Sequence, residues 1–254
     1  MQTHTDDRAT VFAIAILAAC IATTAHEAAG HGSACLLFGG TITRLTSVYF
    51  QCSTHSTWIA AGGPLGNLVA FGVAWCGLLL APLGMTRMRL LLLLTMTISI
   101  FWFAGYLIYS ALLNDGDLYF VARDLFGNPG LALRTGGIAV GIAFYWLGIQ
   151  AMRSFTARIS HDIRRARRLL RQSWLAASLS GCVAALAYAP DRLGAIGQAA
   201  LEIGAACLPM LGRVAIGPAH ANPDTGKIGR SWAWISVSLL VFALFVVILG
   251  RGVP

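Results

Sequence analysis

The chain has 254 residues, 57% of them hydrophobic and 11% charged, with a formal net charge of +8. Soluble domains carry about 25% charged residues. That excludes a soluble fold, and no polar stretch is long enough to form a separate soluble domain.

A membrane-spanning helix needs about 20 mostly apolar residues. The first such run extends from about Val11 to Phe38 and follows Asp6, Asp7 and Arg8. It shows no small-residue cleavage signature, so it reads as a retained span. Residues 41–55, TITRLTSVYFQCSTH, are rich in Thr, Val, Ile and aromatics. This composition favours strands over helix. Further apolar runs cover about Trp58–Leu83 and Leu90–Leu113, the latter stopping at NDGD, residues 114–117. The next covers about Leu131–Met152. Residues 153–172 then form a basic loop with Arg153, Arg158, Arg164, Arg165, Arg167, Arg168 and Arg171.

Ile159, Ile163, Leu169 and Leu170 interleave with these arginines, which reads as an amphipathic interfacial helix. Between two spans such a run meets anionic lipid at the cytoplasmic face rather than nucleic acid. Trp174–Tyr188 forms a fifth span. Leu193–Leu211, interrupted by Glu202, either spans or lies on the surface. Residues 222–226, NPDTG, read as a turn, and Trp232–Leu249 closes the series. The expectation is an all-α polytopic membrane protein with about six transmembrane helices and a short β-hairpin after the first. The six cysteines show no C-x-x-C spacing. They are read as small core residues, with no redox pair signalled.

Chemistry concentrates at three places. An ionisable residue inside a span costs about 2.5 to 3.5 kcal/mol by insertion scales, yet His26, Glu27 and His31 end the first run. In the zinc motif H-E-x-x-H the histidines are four apart on one helix face, with the glutamate placed to act as general base. Here they are five apart, which on a regular helix separates them by about 140°. Two registers remain open. A π-bulge near Gly30 absorbs the extra residue and brings both histidines to one face. In the other, the helix stays regular and Glu27 pairs with His31. A third ligand is expected from Asn114, Asp115 or Asp117, because a carboxylate in a tight glycine turn is a good ligand for zinc. The third place is AAGGPLGNLVA, residues 60–70. Gly63 and Pro64 are expected to break the helix beside a cavity holding Asn67; the alternative is a small-residue packing face. His55 is read as a solvated loop residue.

In this order the three features resemble the site-2 protease family of intramembrane zinc metalloproteases. The family joins an H-E-x-x-H span to a G-P-x-x-N span and a D-G motif. The matches are His26, Glu27 and His31; Gly63, Pro64 and Asn67; Asp115 and Gly116. The TITRLTSVYF stretch resembles the family's membrane-associated β-hairpin. Residues 1–128 would then form a metalloprotease-like core of three helices, and residues 129–254 would add further spans around the basic loop.

The resemblance implies that His26, His31 and Asp115 bind one Zn2+ per chain, that Glu27 activates water, and that Asn67 holds substrate or stabilises the oxyanion. The substrate would be a membrane protein cut in or near a transmembrane segment. The location would be the bacterial inner (plasma) membrane. Three departures stand out: the extra residue in the first motif, no prolines before D-G, and no family motif in the second half. Two other functions fit the residues: an inactive protease-like protein that binds partner helices, and an ion-handling transporter with a His/Glu/Asp relay. The basic loop, taken as cytoplasmic, puts the N-terminus inside and the NDGD end outside. That is opposite to the usual orientation of the family's bacterial members.

Overall fold

The computed structural model describes residues 6–212 and 226–253. The NPDTG turn lies outside the described residues but for Gly226. Among the described residues five helices are long and apolar enough to cross a membrane: α1 (Arg8–Leu37), α2 (Thr57–Leu80), α3 (Thr86–Leu113), α5 (Leu131–Ala157) and α8 (Trp232–Gly250). Between α3 and α5 lies the short α4 (Asp117–Phe126). Between α5 and α8, α6 (Ile163–Ala185) is followed after a 96° bend by Ala189–Ala205, whose first α-helical part is α7 (Arg192–Ala199). That pair could supply a sixth, broken span. The protein is thus an all-α membrane protein with one small sheet.

Local chemistry sets the helix ends. Asp7 caps α1 by accepting from the Thr10 N–H at 2.9 Å, and Asp162 caps α6 by accepting from the Arg164 N–H at 2.8 Å. Each satisfies one of the N–H groups a helix start leaves without a partner. Strands β1 (Ile42–Leu45) and β2 (Phe50–Cys52) form the expected antiparallel hairpin, with Leu45 opposite Phe50 and Ile42 opposite Cys52. On its other side Leu45 bridges to Val253, so that edge of the hairpin is paired at Leu45. Helix α3 is deeply buried: its Leu93, Leu94, Met96, Ile98, Ile100, Phe101 and Trp102 are at most 1% exposed. It packs against α1, α2 and α5.

Three expectations change. First, α2 runs unbroken through Pro64. Proline removes one N–H but does not end a membrane helix whose neighbours cover the gap. Second, the arginine run is not a separate surface helix. From Ile163 it is the first half of α6, and Ala166, Leu169 and Leu170 already face the core. Third, Cys35 and Cys52 form a disulfide. The hairpin reverses the chain between them, so residues 17 apart in sequence meet without any short-spacing motif.

Candidate metal centre

The centre is built where α1 changes its winding. Residues Ala25–Gly32 are a π-helix, flanked on both sides by regular α-helix. In a π-helix the N–H bonds the carbonyl five residues back. Residues five apart therefore sit one above the other, as residues four apart do in an α-helix. The His26 and His31 ring centroids are 5.0 Å apart and edge to face. The bulged register is the one adopted, and the regular helix with a Glu27–His31 pair is not.

Glycines on both α1 and α2 make room for it. A Cβ on Gly30 would lie 2.5 Å from the Gly62 carbonyl oxygen, and one on Gly66 would strike the Ala25 carbonyl. A Cβ on Gly63 would strike both histidine Nε2 atoms. The GGPLG run is thus a close-packing face, not a helix break. Around the rings, His26 stacks on Trp102 at 4.5 Å and His31 stacks on Phe50 at 5.1 Å.

The third group comes from the turn after α3. Asn114 ends that helix in the left-handed region at φ 55°, and Gly116 follows at φ 83°, ψ 170°. The second conformation is open in practice to glycine alone. Together they reverse the chain and aim Asp117 inward. Its Oδ2 lies 3.1 Å from His31 Nε2 and 3.6 Å from His26 Nε2. Asp115, the expected ligand, is not brought to the histidines. Its side chain is exposed and accepts a hydrogen bond from the Tyr109 hydroxyl at 3.1 Å. It lies on the far side of the Gly116 reversal, which turns the residue after it, not the residue before it, toward the histidines.

The hydrogen bonding can be read as chemistry. The Ile59 carbonyl, 2.7 Å from His31 Nδ1, can only accept. Nδ1 therefore carries the proton, and in a neutral ring Nε2 keeps its lone pair. That lone pair faces the Asp117 oxygen. Two acceptors 3.1 Å apart need a cation between them, either a proton or a metal ion. Burial pushes the Asp117 carboxyl up, but His31 and His26 more than offset this and hold it well below the usual carboxylate range.

Asn67 contacts His26 Nδ1 at 3.0 Å through its amide nitrogen, while its Oδ1 is buried without a partner. Turning the amide by half a rotation lets Oδ1 accept Nδ1–H and frees Nε2 to ligate. Either way one amide atom of Asn67 contacts His26 and the other has no protein partner.

His26, His31 and Asp117 each offer one ligand atom, all within 4.8 Å of one another. A tetrahedral ion with bonds near 2.0–2.1 Å places its ligand atoms about 3.3 Å apart. The observed 3.1 and 3.6 Å bracket that spacing, so the donor set fits a small divalent cation.

A cavity of about 430 Å³ opens onto these atoms. Glu27 lines it, with Oε2 buried and without a hydrogen-bond partner. Phe50, Gln51 and Cys52 of the hairpin form one wall. His55 stands at the mouth, largely exposed and 3.7 Å from Asp124. Glu202, from a second π-helical turn at Ala200–Ala205, reaches the same cavity from the second half of the chain. It is 6% exposed and accepts from Gln198 at 2.9 Å. The sequence marked Glu202 only as an interruption. The signal was present: a carboxylate inside an apolar segment is expensive unless it meets a polar cavity. Comparison with protein-family models, with curated proteins and with solved structures finds no match for this chain.

Proposed function

We propose that this protein is an intramembrane zinc metalloprotease of the site-2 protease kind, hydrolysing a peptide bond in or next to a transmembrane segment of another membrane protein. The observation that carries the reading is the π-helical turn. It absorbs the one residue that separates H-E-A-A-G-H from H-E-x-x-H, and so brings His26 and His31 together with Asp117. The order of a His-Glu-His span, a Gly-Pro-Leu-Gly-Asn span and a carboxylate turn after the third span supports it. So does a polar cavity at the end of helices long enough to cross a bilayer.

In this reading His26, His31 and Asp117 hold one zinc ion. The ion supplies a Lewis acid that polarises an oxygen and acidifies water. Glu27 takes a proton from the attacking water at Oε2, the atom that no protein group satisfies, and returns it to the leaving amine. Asn67 and the Ile59 carbonyl hold the two imidazoles in their ligating orientation. Trp102 and Phe50 keep bulk water from the rings. Basic residues between Arg153 and Arg171 meet anionic lipid headgroups and fix the depth of α6.

The test is metal content of the purified protein together with cleavage of a membrane substrate. About one zinc per chain is expected in the wild type. It is lost in His31→Ala and in Asp117→Ala, and retained in Asp115→Ala and Glu27→Gln. Glu27→Gln then abolishes cleavage while keeping the metal. Wild-type protein that stays metal-free when zinc is supplied would leave a binding protein on this fold and end the protease reading.

A further inference from the structure

The described chain has two ends, and its contacts sort the loops between them. One end gathers Asp6, the Ala81–Met85 turn with the start of α3, the start of α6 and residues 226–231. Arg165 pairs with Asp6 at 2.8 Å, the Ile228 N–H donates to Asp6, and Arg87 donates to the Gly229 carbonyl. The other end gathers the hairpin, α4, Tyr188–Asp191 and residues 251–253. There Tyr49 donates to Asp191, Thr57 donates to Asp124, and Leu45 pairs with Val253. The cavity opens at this second end.

The two ends differ in charge. The first carries Arg8, Arg87, Arg89, the seven arginines from Arg153 to Arg171, Lys227 and Arg230. Among the described residues the second carries only Arg44, Arg123, Arg134, Arg192 and Arg251. Twelve against five is a strong bias, and lysine and arginine near span ends mark the cytoplasmic side. A second feature is independent of charge. The disulfide between Cys35 and Cys52 lies at the cavity end, where Cys52 lines the cavity wall. Disulfides persist in oxidising compartments and are rare in the cytosol. Closing the hairpin onto α1, this one also holds Phe50 against His31.

We propose that the cleft opens on the non-cytoplasmic, oxidising side of the membrane and takes chain segments presented from that side, with the disulfide clamping the hairpin that walls it. That the segment is cut rests on the protease reading; the orientation does not.

The test is thiol labelling of the full chain in sealed bacterial spheroplasts. The four unpaired cysteines are first replaced, Cys20, Cys76, Cys182 and Cys207 to Ala, and Cys35 and Cys52 are kept. One reporter is added at a time, Leu125→Cys at the cavity end or Lys227→Cys at the basic end. Leu125→Cys should react with a membrane-impermeant maleimide in sealed spheroplasts, and Lys227→Cys only after permeabilisation. Without a reporter, Cys35 and Cys52 should stay unlabelled until an impermeant reductant is added outside, and then label. The opposite reporter pattern, or free thiols at Cys35 and Cys52 before reduction, would overturn the proposal. Labelling as expected in a protein that binds no zinc would leave the orientation standing and remove the protease reading. Zinc binding with the reversed pattern would do the converse.

Discussion

His26 and His31 are five residues apart in sequence and face each other with ring centroids 5.0 Å apart. The π-helix at Ala25–Gly32 makes this possible, and it gives the extra residue a local remedy. Deleting Ala29 should therefore be tolerated. The π-turn relaxes to α-helix, the histidines become four apart on one face, and the register on both sides is kept. The deletion variant should fold and bind zinc like the wild type. Deleting Ala19, in the regular part of α1, should instead rotate the centre by about 100° against the preceding turns and abolish binding. Zinc content of the two deletion variants decides. A folded, metal-free Ala29 deletion would mean that the bulge does more than absorb a residue.

Gly63 stands where a side chain would meet the Nε2 atoms of His26 and His31. An added Cβ would sit 2.6 Å from His26 Nε2 and closer still to His31 Nε2. Gly63→Ala should weaken zinc binding at least tenfold while the chain still inserts. Gly30→Ala acts differently, because its Cβ meets the backbone of Gly62 and Gly63, which cannot rotate away. Overpacking of this kind costs about 1 to 3 kcal/mol, and the rigid partner puts Gly30→Ala at the upper part of that range. Thermal unfolding in detergent should show the larger loss for Gly30→Ala and the larger zinc effect for Gly63→Ala.

Much of the architecture was legible because lipid imposes it. The apolar runs gave the helices at 57–80, 86–113, 131–157 and 232–250 to within a few residues, and β-branched and aromatic residues gave the hairpin. His26, Glu27 and His31 stood out because ionisable groups at depth are costly. Asp117 was harder. Asp115 and Asp117 flank the same glycine, and which one turns inward depends on the left-handed Asn114 and the φ of Gly116, neither of which is a property of composition. The disulfide leaves no mark in the cysteine spacing because its proximity arises from the hairpin. Pro64 does not break its helix, because the effect of a proline depends on what covers the lost hydrogen bond.

Asn67 tests the orienting role. Groups that hold a ligating imidazole through its second nitrogen typically contribute 10- to 100-fold to metal affinity. Asn67→Ala should weaken zinc binding by about that factor. Asn67→Asp, which still accepts from His26 Nδ1–H, should recover much of it. If Asn67 served only to hold substrate, both variants would bind zinc normally and raise KM. Competition with a chromogenic chelator, with a KM measurement beside it, separates the two.

Far from the centre, Asp6 and Arg165 form a bidentate pair at 2.8 and 2.9 Å, with side chains 6% and 12% exposed. Burial pushes the Asp6 carboxyl up, but Arg165 and the Ile228 N–H outweigh it and leave the group below its ordinary value. A depressed carboxylate contributes stability that is fully present above its unfolded value, about 3.9, and is lost as pH falls through the folded value. Asp6→Asn keeps an acceptor for Ile228 but removes the charge. At pH 7 it should cost about 3 kcal/mol, the low end for breaking a buried pair, because Arg165 keeps its bond to the Gly226 carbonyl. The difference in Tm between wild type and Asp6→Asn should be constant from pH 7 to 5 and shrink below about 4. A difference that instead grows on acidification would assign the loss to something other than this ion pair.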